Sequence, residues 1–449
     1  MVSFDYDLIV LGAGSGGTRA ARIAAGHGAK TAVVEADRPG GTCVLRGCVP
    51  KKLLIYGSEF SRNVEDAIGY SWDVGEVKPN WFDLISKKNK ELDRLHVIYK
   101  NLIINSGCDL YHGYGKLISK NQVLVISQDE EKIISAKKIM IAVGGKSKFP
   151  IFDGNEFMIN SDKALDLKKL PKSIIIYGSG YIAVEFAGIF SGFGVDTSLV
   201  FRSDYLLRGF DIDVRKNLTE QIEKSGVRIF PNNVIEHIYE NQKQYKIRIS
   251  NNTTLESELV MGATGRSPNT QDLGLENIGL ELGKNGEVLV NKYNQSNIPS
   301  IYAIGDVTNK INLTPVAIAE GHAFSDREFG GIERFISYEN VPCAVFSQPP
   351  VSIVGFSKDE AIKKGIQVKE YISEFNPLKN TISGKIEKTL MKLIVNKNNK
   401  VIGAHMLGEH APEIIQGIAI AIKAGATKDH FDETIGIHPT AAEEFVTMK

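Results

Sequence analysis

Two of the four cysteines in this 449-residue chain lie five positions apart, in the stretch GGTCVLRGCVPKK that spans residues 40–52. In a regular helix the Cα atoms of residues so spaced are roughly 8–9 Å apart, whereas a disulfide needs about 4.4–6.8 Å. Cys43 and Cys48 can therefore bond only if the turn is distorted, which Gly47 is best able to allow. Such a small, strained loop removes little chain entropy and is easily reduced, so we expect a redox-active pair. The alternative, half of a zinc site, lacks a second CxxC or HxxxH pair elsewhere in the sequence.

A glycine motif precedes the cysteines. The apolar run DLIVL leads into Gly12-x-Gly14-x-x-Gly17, a helical pattern follows, and a second apolar run ends at Glu35, 23 residues after Gly12. This arrangement is typical of a dinucleotide-binding unit, in which the glycines let the backbone approach a pyrophosphate at a helix N-terminus. Glu35 can accept hydrogen bonds from a ribose diol.

The motif recurs as Gly178-x-Gly180, again between an apolar run and a helical pattern. Here the residue 23 positions after Gly178 is Phe201, and Arg202 and Arg208 follow. A carboxylate would repel a 2′-phosphate, whereas guanidinium groups bind it. The second site is therefore predicted to prefer NADP to NAD.

Two dinucleotide units in one chain imply electron transfer between cofactors. Strand-then-glycine patterns at 137–145 and 259–269 suit the far edge of each unit, and the apolar run at 300–307 ends with Asp306, whose carboxylate can hold the sugar-like chain of a flavin. The first unit is thus predicted to be split, with the second inserted into it.

The composition excludes several classes of function. Lys plus Arg equals Asp plus Glu at 53 each, which argues against a surface that coats nucleic acid. No apolar run approaches the ~20 residues that span a bilayer, and the N-terminal sequence lacks the features of a signal peptide. We expect a cytoplasmic protein of several domains with neither a nucleic-acid nor a membrane partner.

With these motifs in order, nearly the whole chain resembles the class I pyridine nucleotide–disulfide oxidoreductases. Within that family, GGTCVxxGCVPKK resembles the glutathione reductases, in their plant and alphaproteobacterial branch. The resemblance implies an α/β fold with two Rossmann-like dinucleotide-binding domains, the NADP domain inserted in the FAD domain, and a C-terminal α+β dimerisation domain. The predicted domains are 1–145 (FAD, first part), 146–268 (NADP), 269–338 (FAD, second part) and 339–449 (interface).

The resemblance also implies roles for single residues. Cys48 would be the thiolate beside the flavin, and Cys43 the thiol that attacks the substrate disulfide. Lys51 would lie by the reactive flavin nitrogen and pair with Glu185, while Tyr181 would cover the flavin until the nicotinamide displaces it. The residues expected to bind FAD are Gly12, Gly14, Ser15, Gly16, Gly17, Glu35, Gly41, Thr42, Cys43, Gly47, Cys48, Lys51, Gly115, Ala142, Gly144, Asp306 and Thr314. Those expected to bind NADP are Gly178, Gly180, Tyr181, Ile182, Glu185, Arg202, Arg208, Gly265 and Arg266.

A histidine near the C-terminus, in HPTAAEEF, suits acid–base work. His438 precedes Glu443 by five residues, a spacing that lets the carboxylate orient the imidazole. Thiol–disulfide exchange needs a group that protonates the leaving thiolate, and histidine titrates near neutral pH. The resemblance implies that this pair acts on the partner subunit, which makes the protein a homodimer with shared active sites.

The substrate is predicted from basic residues on the first helix. Trypanothione reductases bind a cationic substrate and carry an acid and a Trp where this chain has Arg19 and Arg22. Glutathione disulfide is anionic, so basic residues fit it. Ser15, Arg22, Tyr99, His438 and Glu443 match substrate contacts of the family.

Two positions depart from many family members, which have arginines where this chain has Ile23 and His322. The resemblance implies NADPH-dependent reduction of glutathione disulfide through FAD and the Cys43–Cys48 disulfide, maintaining the cellular thiol state. The alternatives are reduction of another low-molecular-weight or mixed disulfide, and a non-catalytic, flavin-bound interaction protein.

Overall fold

The structure is a computed structural model that describes residues 3–128, 130–242 and 244–449. The chain divides into two compact units, each built from three separate segments. The first unit comprises the residues up to Lys51, Asp83–Lys148 and Gly265–Ser337, and the second comprises Lys52–Phe82, Phe149–Thr264 and Tyr338–Lys449. The four predicted domains do not coincide with these units, since residues 52–82 lie within the predicted FAD domain but group here with the second unit, and the domain boundaries stay a prediction.

The strands are β1 (Tyr6–Leu11), β2 (Thr31–Glu35), β3 (Asp109–His112), β4 (Tyr114–Ser119), β5 (Gln122–Ile126), β6 (Glu131–Ile141), β7 (Gly145–Ser147), β8 (Ser173–Tyr177), β9 (Asp196–Val200), β10 (Arg228–Phe230), β11 (Ile235–Asn241), β12 (Gln244–Ile249), β13 (Thr254–Ser257), β14 (Leu259–Gly262), β15 (Arg266–Pro268), β16 (Ile301–Ala303), β17 (Cys343–Val345), β18 (Val351–Gly355), β19 (Val368–Phe375), β20 (Thr389–Asn396) and β21 (Val401–Leu407). The helices are α1 (Ser15–Gly26), α2 (Gly41–Leu45), α3 (Cys48–Gly69), α4 (Trp81–Ile104), α5 (Ser161–Ala164), α6 (Tyr181–Gly192), α7 (Ile212–Lys224), α8 (Thr314–Phe329), α9 (Lys358–Lys363), α10 (Leu378–Ser383), α11 (Ala411–Lys423), α12 (Lys428–Asp432) and α13 (Glu444–Thr447).

A parallel sheet forms the centre of the first unit, in the order β3-β2-β1-β6-β16. The amino-terminal half of the long strand β6 pairs instead with β5, in an antiparallel meander with β4. β1 and β2 are buried and almost wholly apolar, as expected of parallel strands covered on both faces. Because parallel strands end at the same edge, the residues that follow β1, β2, β6 and β16 meet there.

Helix α1 covers this sheet through small residues. Gly16, Gly17 and Ala20 are buried, and α1 packs closely on α8, where Ser325 Oγ donates a hydrogen bond of 2.7 Å to the carbonyl of Ala20. A Cβ at Gly321 would lie 2.6 Å from the carbonyl oxygen of Gly16. The small residues thus allow the close helix contact that holds the N-terminus of α1 at the sheet edge.

The second unit holds another parallel sheet, in the order β10-β9-β8-β14, and an antiparallel sheet of β11, β12 and β13. Its C-terminal part is an antiparallel sheet in the order β17-β18-β21-β20-β19, which packs with α11 around an apolar core. The predicted fold class, with two parallel nucleotide-binding sheets and a C-terminal α+β part, is confirmed. Within the described ranges, no helix is long and apolar enough to cross a membrane.

A lysine is buried where α7 and the C-terminal sheet of the second unit meet. The side chain of Lys392 on β20 is 0% exposed, and its Nζ lies 3.0 Å from Asp211 Oδ2, 2.6 Å from Asp213 Oδ2 and 3.0 Å from Glu370 Oε2. Burial by itself favours the neutral amine, but the hydrogen bond to Asp213 and the charge of Asp211 raise the pKa of Lys392 above its ordinary value. The lysine therefore stays charged and neutralises the buried Asp211, which is also the N-cap of α7, and the partly exposed Asp213 and Glu370.

We expect Lys392→Met to lower the free energy of unfolding by about 3–5 kcal/mol, because removing one member of a buried ion pair leaves the other uncompensated. Lys388→Met is the matched control. Lys388 also forms an ion pair with a glutamate of β19, Glu374, but that pair is about half exposed. Thermal unfolding followed by circular dichroism measures the difference. Equal midpoints for the two variants would show that the buried cluster does not stabilise the fold.

Candidate active site

The first glycine motif lies where β1 and β6 end. Gly12 has φ +100°, and a Cβ there would lie 2.6 Å from the carbonyl oxygen of Ala142, just after β6. A Cβ at Gly17 would overlap the carbonyl oxygen of Gly12. Both positions thus require glycine, because any side chain would separate the strand ends from the N-terminus of α1.

Glu35 closes this turn from the end of β2. Its Oε2 accepts a hydrogen bond of 2.6 Å from the backbone N–H of Ala13, and its Oε1 accepts one of 2.9 Å from Asp37. The carboxylate is thereby fixed beside the glycine loop, which is the placement that recognition of a ribose would need.

The surroundings of the loop fit a dinucleotide. Gly14 is the N-cap of α1 and has no side chain that caps the helix, so the first N–H groups of α1 are available to an anion. Gly41 has φ +60°, and a Cβ there would lie 2.6 Å from Gly14 Cα. Gly41 therefore packs against the glycine loop, and we call the loop of Gly12–Gly17 together with Gly41 the dinucleotide cradle. Ser15 Oγ is buried beside the loop, within reach of the side chains of Cys43 and Tyr99. These residues could hold the pyrophosphate of FAD.

Asp306, predicted for the flavin chain, lies in the turn after β16. Burial raises the pKa of its carboxyl, and the nearby charge of Arg266 opposes this rise. Gly305 in the same turn donates a 2.6 Å backbone hydrogen bond to the buried Glu320, a contact that sequence reasoning missed. Arg266, predicted for NADP, belongs to the first unit, where it donates a 2.5 Å hydrogen bond to the carbonyl of Gly145 and lies 3.7 Å from Asp306 Oδ2.

The remaining predicted FAD residues also belong to the first unit. A Cβ at Gly115 on β4 would lie 2.7 Å from Leu11 Cδ2, so this glycine lets β4 approach β1. Gly144 follows β6 with φ +71°, and Gly16 and Thr42 lie in α1 and α2. They surround the same sheet edge as Gly12.

The cysteine pair spans a break between two helices. α2 ends at Leu45 and α3 begins at Cys48, so the helix is interrupted at Arg46 and Gly47. A Cβ at Gly47 would lie 2.9 Å from the carbonyl oxygen of Thr42. The distortion expected around Gly47 is present, and both cysteines are free thiols in this structure.

The two thiols differ in acidity. The hydrogen bond from Cys43, together with Thr314 and the charge of Lys51, lowers the pKa of Cys48 to about 6. The same hydrogen bond, followed by burial, raises the pKa of Cys43 well above its ordinary value. Cys48 Sγ also lies 3.6 Å from Thr314 Oγ1. At neutral pH the pair therefore consists of a Cys48 thiolate and a protonated Cys43.

The predicted substrate residues of α1 and α4 lie in the first unit. Burial raises the pKa of Tyr99, and the neighbouring Cys43 raises it further, which places the phenol within electrostatic range of that thiol. Arg22 is half-buried, and its Nε donates a weak hydrogen bond of 3.4 Å to Ser106 Oγ. Ser15 begins the helix that carries Arg22, two turns before it.

His322, one of the two positions where we expect a departure from the family pattern, lies on α8. Its Nε2 lies 3.5 Å from Asp326 Oδ2, and the buried carboxylate of Asp326 also binds His27 at 2.8 Å and Arg334 at 3.1 Å. Burial lowers the pKa of His322 below its ordinary value. The side chain is therefore mainly neutral at pH 7 and does not replace the charge of an arginine.

The second glycine motif repeats the geometry of the first. Gly178 follows β8 with φ +146°, and a Cβ there would overlap the carbonyl oxygen of Ala263, just after β14. Gly180 is the N-cap of α6, and no side chain caps this helix either. Tyr181 and Ile182 open the helix, with the tyrosine ring 46% exposed. The open helix N-terminus fits the phosphates of a second dinucleotide.

The loop after β9 carries the two arginines. Phe201 is buried, whereas Arg202 and Arg208 are exposed. The backbone N–H of Leu207 donates a 2.8 Å hydrogen bond to the carbonyl of Ser179, which lies inside the glycine turn. The loop is therefore fastened to the turn, a connection that local sequence patterns do not reveal. Gly265, also predicted for NADP, belongs to the first unit and has φ +148°.

Glu185 lies one turn further along α6 and is buried. Its Oε1 accepts a 3.0 Å hydrogen bond from the backbone N–H of Phe346, 161 residues later. Sequence reasoning missed Phe346 because only the tertiary structure brings it to α6. Lys51 belongs to the first unit, and its pairing with Glu185 stays a prediction.

His438 and Glu443 are brought together as expected. His438 Nδ1 lies 3.1 Å from each carboxylate oxygen of Glu443, which orients the ring and leaves Nε2 available. The histidine side chain is 81% exposed and the glutamate 21%. The pair thus presents an oriented imidazole on the surface of the second unit.

We expect alkylation of Cys48 in the reduced protein to rise with pH around a midpoint of about 6, because only the thiolate reacts and its pKa is lowered. Cys43→Ala removes the largest cause of that lowering, so the midpoint should move towards the ~8.5 of an ordinary cysteine. Cys343→Ala is the control and should leave the profile unchanged. Peptide mass spectrometry after iodoacetamide treatment measures each site, and a midpoint near 8.5 in the unaltered protein would contradict the assignment.

The sequence is similar to that of known proteins over almost its whole length. Residues 6–321 match the model of the family described as pyridine nucleotide-disulphide oxidoreductase, and residues 341–449 match its dimerisation domain. The glutathione reductase of Burkholderia cepacia is 46% identical over 450 residues, covering 100% of this chain and 99% of that protein. The glutathione reductase of a Nostoc strain is also 46% identical, with both chains covered completely. The trypanothione reductase of Leishmania donovani is 40% identical over 99% of this chain and 95% of its own.

These matches extend over almost the whole sequence and include both glycine motifs and the cysteine pair. The chain belongs to the pyridine nucleotide-disulphide oxidoreductase family.

Proposed function

We propose that this protein is an FAD-containing reductase that uses NADPH to reduce glutathione disulfide. The observation that carries the proposal is the unequal acidity of Cys43 and Cys48 at a helix break beside a dinucleotide cradle. When bound at the first glycine motif, FAD would supply the two-electron relay between the nicotinamide and the cysteine pair. The cytoplasm is the expected compartment, because thiols stay reduced there.

The protein's own residues account for the thiol chemistry. Cys43 loses its proton to His438 and attacks one sulfur of the substrate, forming a mixed disulfide. The released thiolate takes the proton from His438, which Glu443 orients. The Cys48 thiolate then attacks the Cys43 sulfur of the mixed disulfide, the second half of the substrate leaves as a thiolate that takes a proton from solvent, and the Cys43–Cys48 disulfide forms again. Two electrons pass to the substrate in each cycle, and the oxidised pair must then be reduced through the FAD site.

The choice of nucleotide follows from the loop after β9. Arg202 and Arg208 are exposed on a loop fastened to the glycine turn at Ser179. Guanidinium groups in this place favour a 2′-phosphate, and no carboxylate stands at Phe201 to bind a free ribose diol.

The choice of substrate follows from charge. Arg19 and Arg22 on α1 suit an anionic peptide such as glutathione disulfide and disfavour a cationic one. Two relatives at 46% identity are named glutathione reductases, whereas the trypanothione reductase is 40% identical. The second candidate, another small disulfide, gains support from the neutral His322.

The proposal includes a homodimer, formed through the part of the chain that matches the dimerisation domain. Ile435 and Ile437 precede His438 and are 93% and 76% exposed, so the surface around the histidine is apolar and suits burial against a second copy. An imidazole of one subunit would then serve the cysteine pair of the other. The four predicted domains are part of the same proposal.

We expect the purified protein to contain FAD and to oxidise NADPH rapidly only when a disulfide is present. Glutathione disulfide should be reduced with a higher kcat/KM than trypanothione disulfide or cystine, and NADPH should be preferred to NADH. Absorbance at 340 nm measures each rate. Preference for another disulfide would transfer the proposal to the second candidate, and equal use of NADH would refute the role of the arginines.

The shared active site has its own test. Cys43→Ser and His438→Ala chains should each be nearly inactive, since loss of a general acid–base group costs about 10²–10⁴-fold in rate. If subunits are exchanged, about half of the dimers are mixed by two-fold symmetry, and each mixed dimer has one complete site. Activity should therefore recover to about a quarter of the unaltered level. Mixed dimers that form without recovery would show that His438 acts within its own chain or not at all.

A further inference from the structure

One face of α6 carries Glu185, Gly188 and Gly192. Their spacings of three and four residues place them on the same side of the helix. Glu185 is the only charged residue of α6, and it is buried. Because the two later residues are glycines, this face of α6 has no side chain beyond Glu185 at these positions, so another helix can approach its backbone.

That face meets α3 closely. A Cβ at Gly192 would lie 2.7 Å from the carbonyl oxygen of Ser58 and 2.8 Å from its Cβ. The helices therefore cross where both have small residues, in backbone-to-backbone contact. Lys51 lies seven residues before Ser58 on α3, and Glu185 lies seven residues before Gly192 on α6. Each member of the predicted ion pair is two helical turns from the crossing.

The segment from Phe346 to Gln348 contacts both helices. Gln348 Nε2 donates a buried hydrogen bond of 2.7 Å to Ser58 Oγ, and Ser58 Oγ itself donates to the carbonyl of Ile55 at 2.8 Å. A Cβ at Gly188 would lie 3.5 Å from the side chain of Gln348, so the glutamine amide is packed along α6. The hydroxyl of Ser58 and the amide of Gln348 are thus held in one geometry.

The other end of the segment fixes the carboxylate. Phe346 donates its backbone N–H to Glu185 Oε1 at 3.0 Å, and Lys52 Nζ lies 3.8 Å from the centroid of the Phe346 ring. Lys52 also lies 4.7 Å from the centroid of the Tyr56 ring, one turn further along α3. The segment is therefore tied to α3 at Lys52 and Ser58, and to α6 at Glu185 and Gly188.

We propose that Phe346–Gln348 and the Ser58–Gly192 crossing form a brace that positions the Glu185 carboxylate for its role with Lys51. The inference rests on the proposed function, together with the Lys51–Glu185 pair beside the flavin that the family resemblance implies. Ser58, Phe346, Gln348 and Gly192 are positioning residues that act through Glu185. The brace links the part of the chain that matches the dimerisation domain to the step in which NADPH delivers electrons, and no step of the disulfide exchange depends on it.

A pair of alanine substitutions on α6 tests the brace. Alanine favours a helix over glycine equally at both positions, but the new methyl group meets ordinary packing at 188 and backbone atoms at 192. Gly192→Ala must shift α6 against α3, and a displacement of ~1 Å can cost up to about 10²-fold in rate. We expect anaerobic reduction of the flavin by NADPH to slow about ten- to a hundredfold in Gly192→Ala and to stay unchanged in Gly188→Ala.

Readouts other than rate separate positioning from stability. In Gly192→Ala flavin reduction is measured at saturating NADPH, so that weaker nucleotide binding caused by a shifted N-terminus of α6 does not contribute to the rate. The flavin midpoint potential should become more positive, since a lysine without its carboxylate favours the electron-rich reduced ring. Thermal unfolding confirms that the variant is folded. Unchanged flavin reduction and potential, whatever the thermal midpoint, would overturn the inference.

A second set of variants avoids any steric change. Gln348→Met keeps the side-chain volume and removes the amide that donates to Ser58 Oγ. Ser58→Ala removes the acceptor of that hydrogen bond and also the hydrogen bond that Ser58 Oγ donates to the carbonyl of Ile55. If both act through the brace, the double variant should lose no more rate than the worse single variant. Strictly multiplicative losses would show that the residues act independently. If NADPH fails to reduce the flavin of the unaltered protein, the proposed function falls, and the midpoint potentials of the variants alone decide the inference.

Discussion

The close approach of backbone to backbone at the two glycine turns is the constraint on which both nucleotide sites depend. A Cβ at Gly12 or at Gly178 would collide with a carbonyl oxygen just beyond a neighbouring strand. That oxygen belongs to Ala142 in the first unit and to Ala263 in the second. A side chain at either glycine would push the strand ends apart and displace the helix N-terminus that follows. Neither α1 nor α6 has a side-chain cap, and each helix therefore presents its N-terminal end where phosphates of a dinucleotide would bind.

A single hydrogen bond gives the two cysteine side chains of the thiol pair opposite shifts in pKa. The proton held between Cys43 and Cys48 lowers the pKa of one thiol and raises that of the other. The break at Arg46 and Gly47 allows this proximity, since a continuous helix would hold the Cα atoms of the two cysteines too far apart for a disulfide. A protonated Cys43 cannot attack a disulfide, so the arrangement requires an external base. His438, oriented by Glu443 and exposed on the second unit, has the chemistry of that base.

Charged groups buried in the second unit are compensated by residues distant in sequence. Lys392 neutralises carboxylates from α7 and β19, and Glu185 accepts a hydrogen bond from Phe346. In each case a buried charge is stable only because groups more than 150 residues apart meet, as with Lys392 and Asp211 or Phe346 and Glu185. The C-terminal part of the chain thus supports the environment of a nucleotide-binding helix in addition to its own apolar core.

The sequence by itself determined what local chemistry requires: both glycine motifs, the acid at Glu35, the arginines that replace it after Phe201, the need for a distorted turn at Gly47, and the family. These features are readable because each depends on residues within about one βαβ unit of one another. The resemblance already implied a Cys48 thiolate, and the tertiary structure added the physical cause, namely the interactions of Cys48 with Cys43, Thr314 and Lys51. Only the tertiary structure decided that Leu207 fastens the arginine loop to Ser179, that Arg266 lies near Asp306, and that Phe346 and Gln348 contact α6 and α3. No periodicity encodes such contacts, because hydrogen bonds and burial between distant segments arise only once the chain has packed.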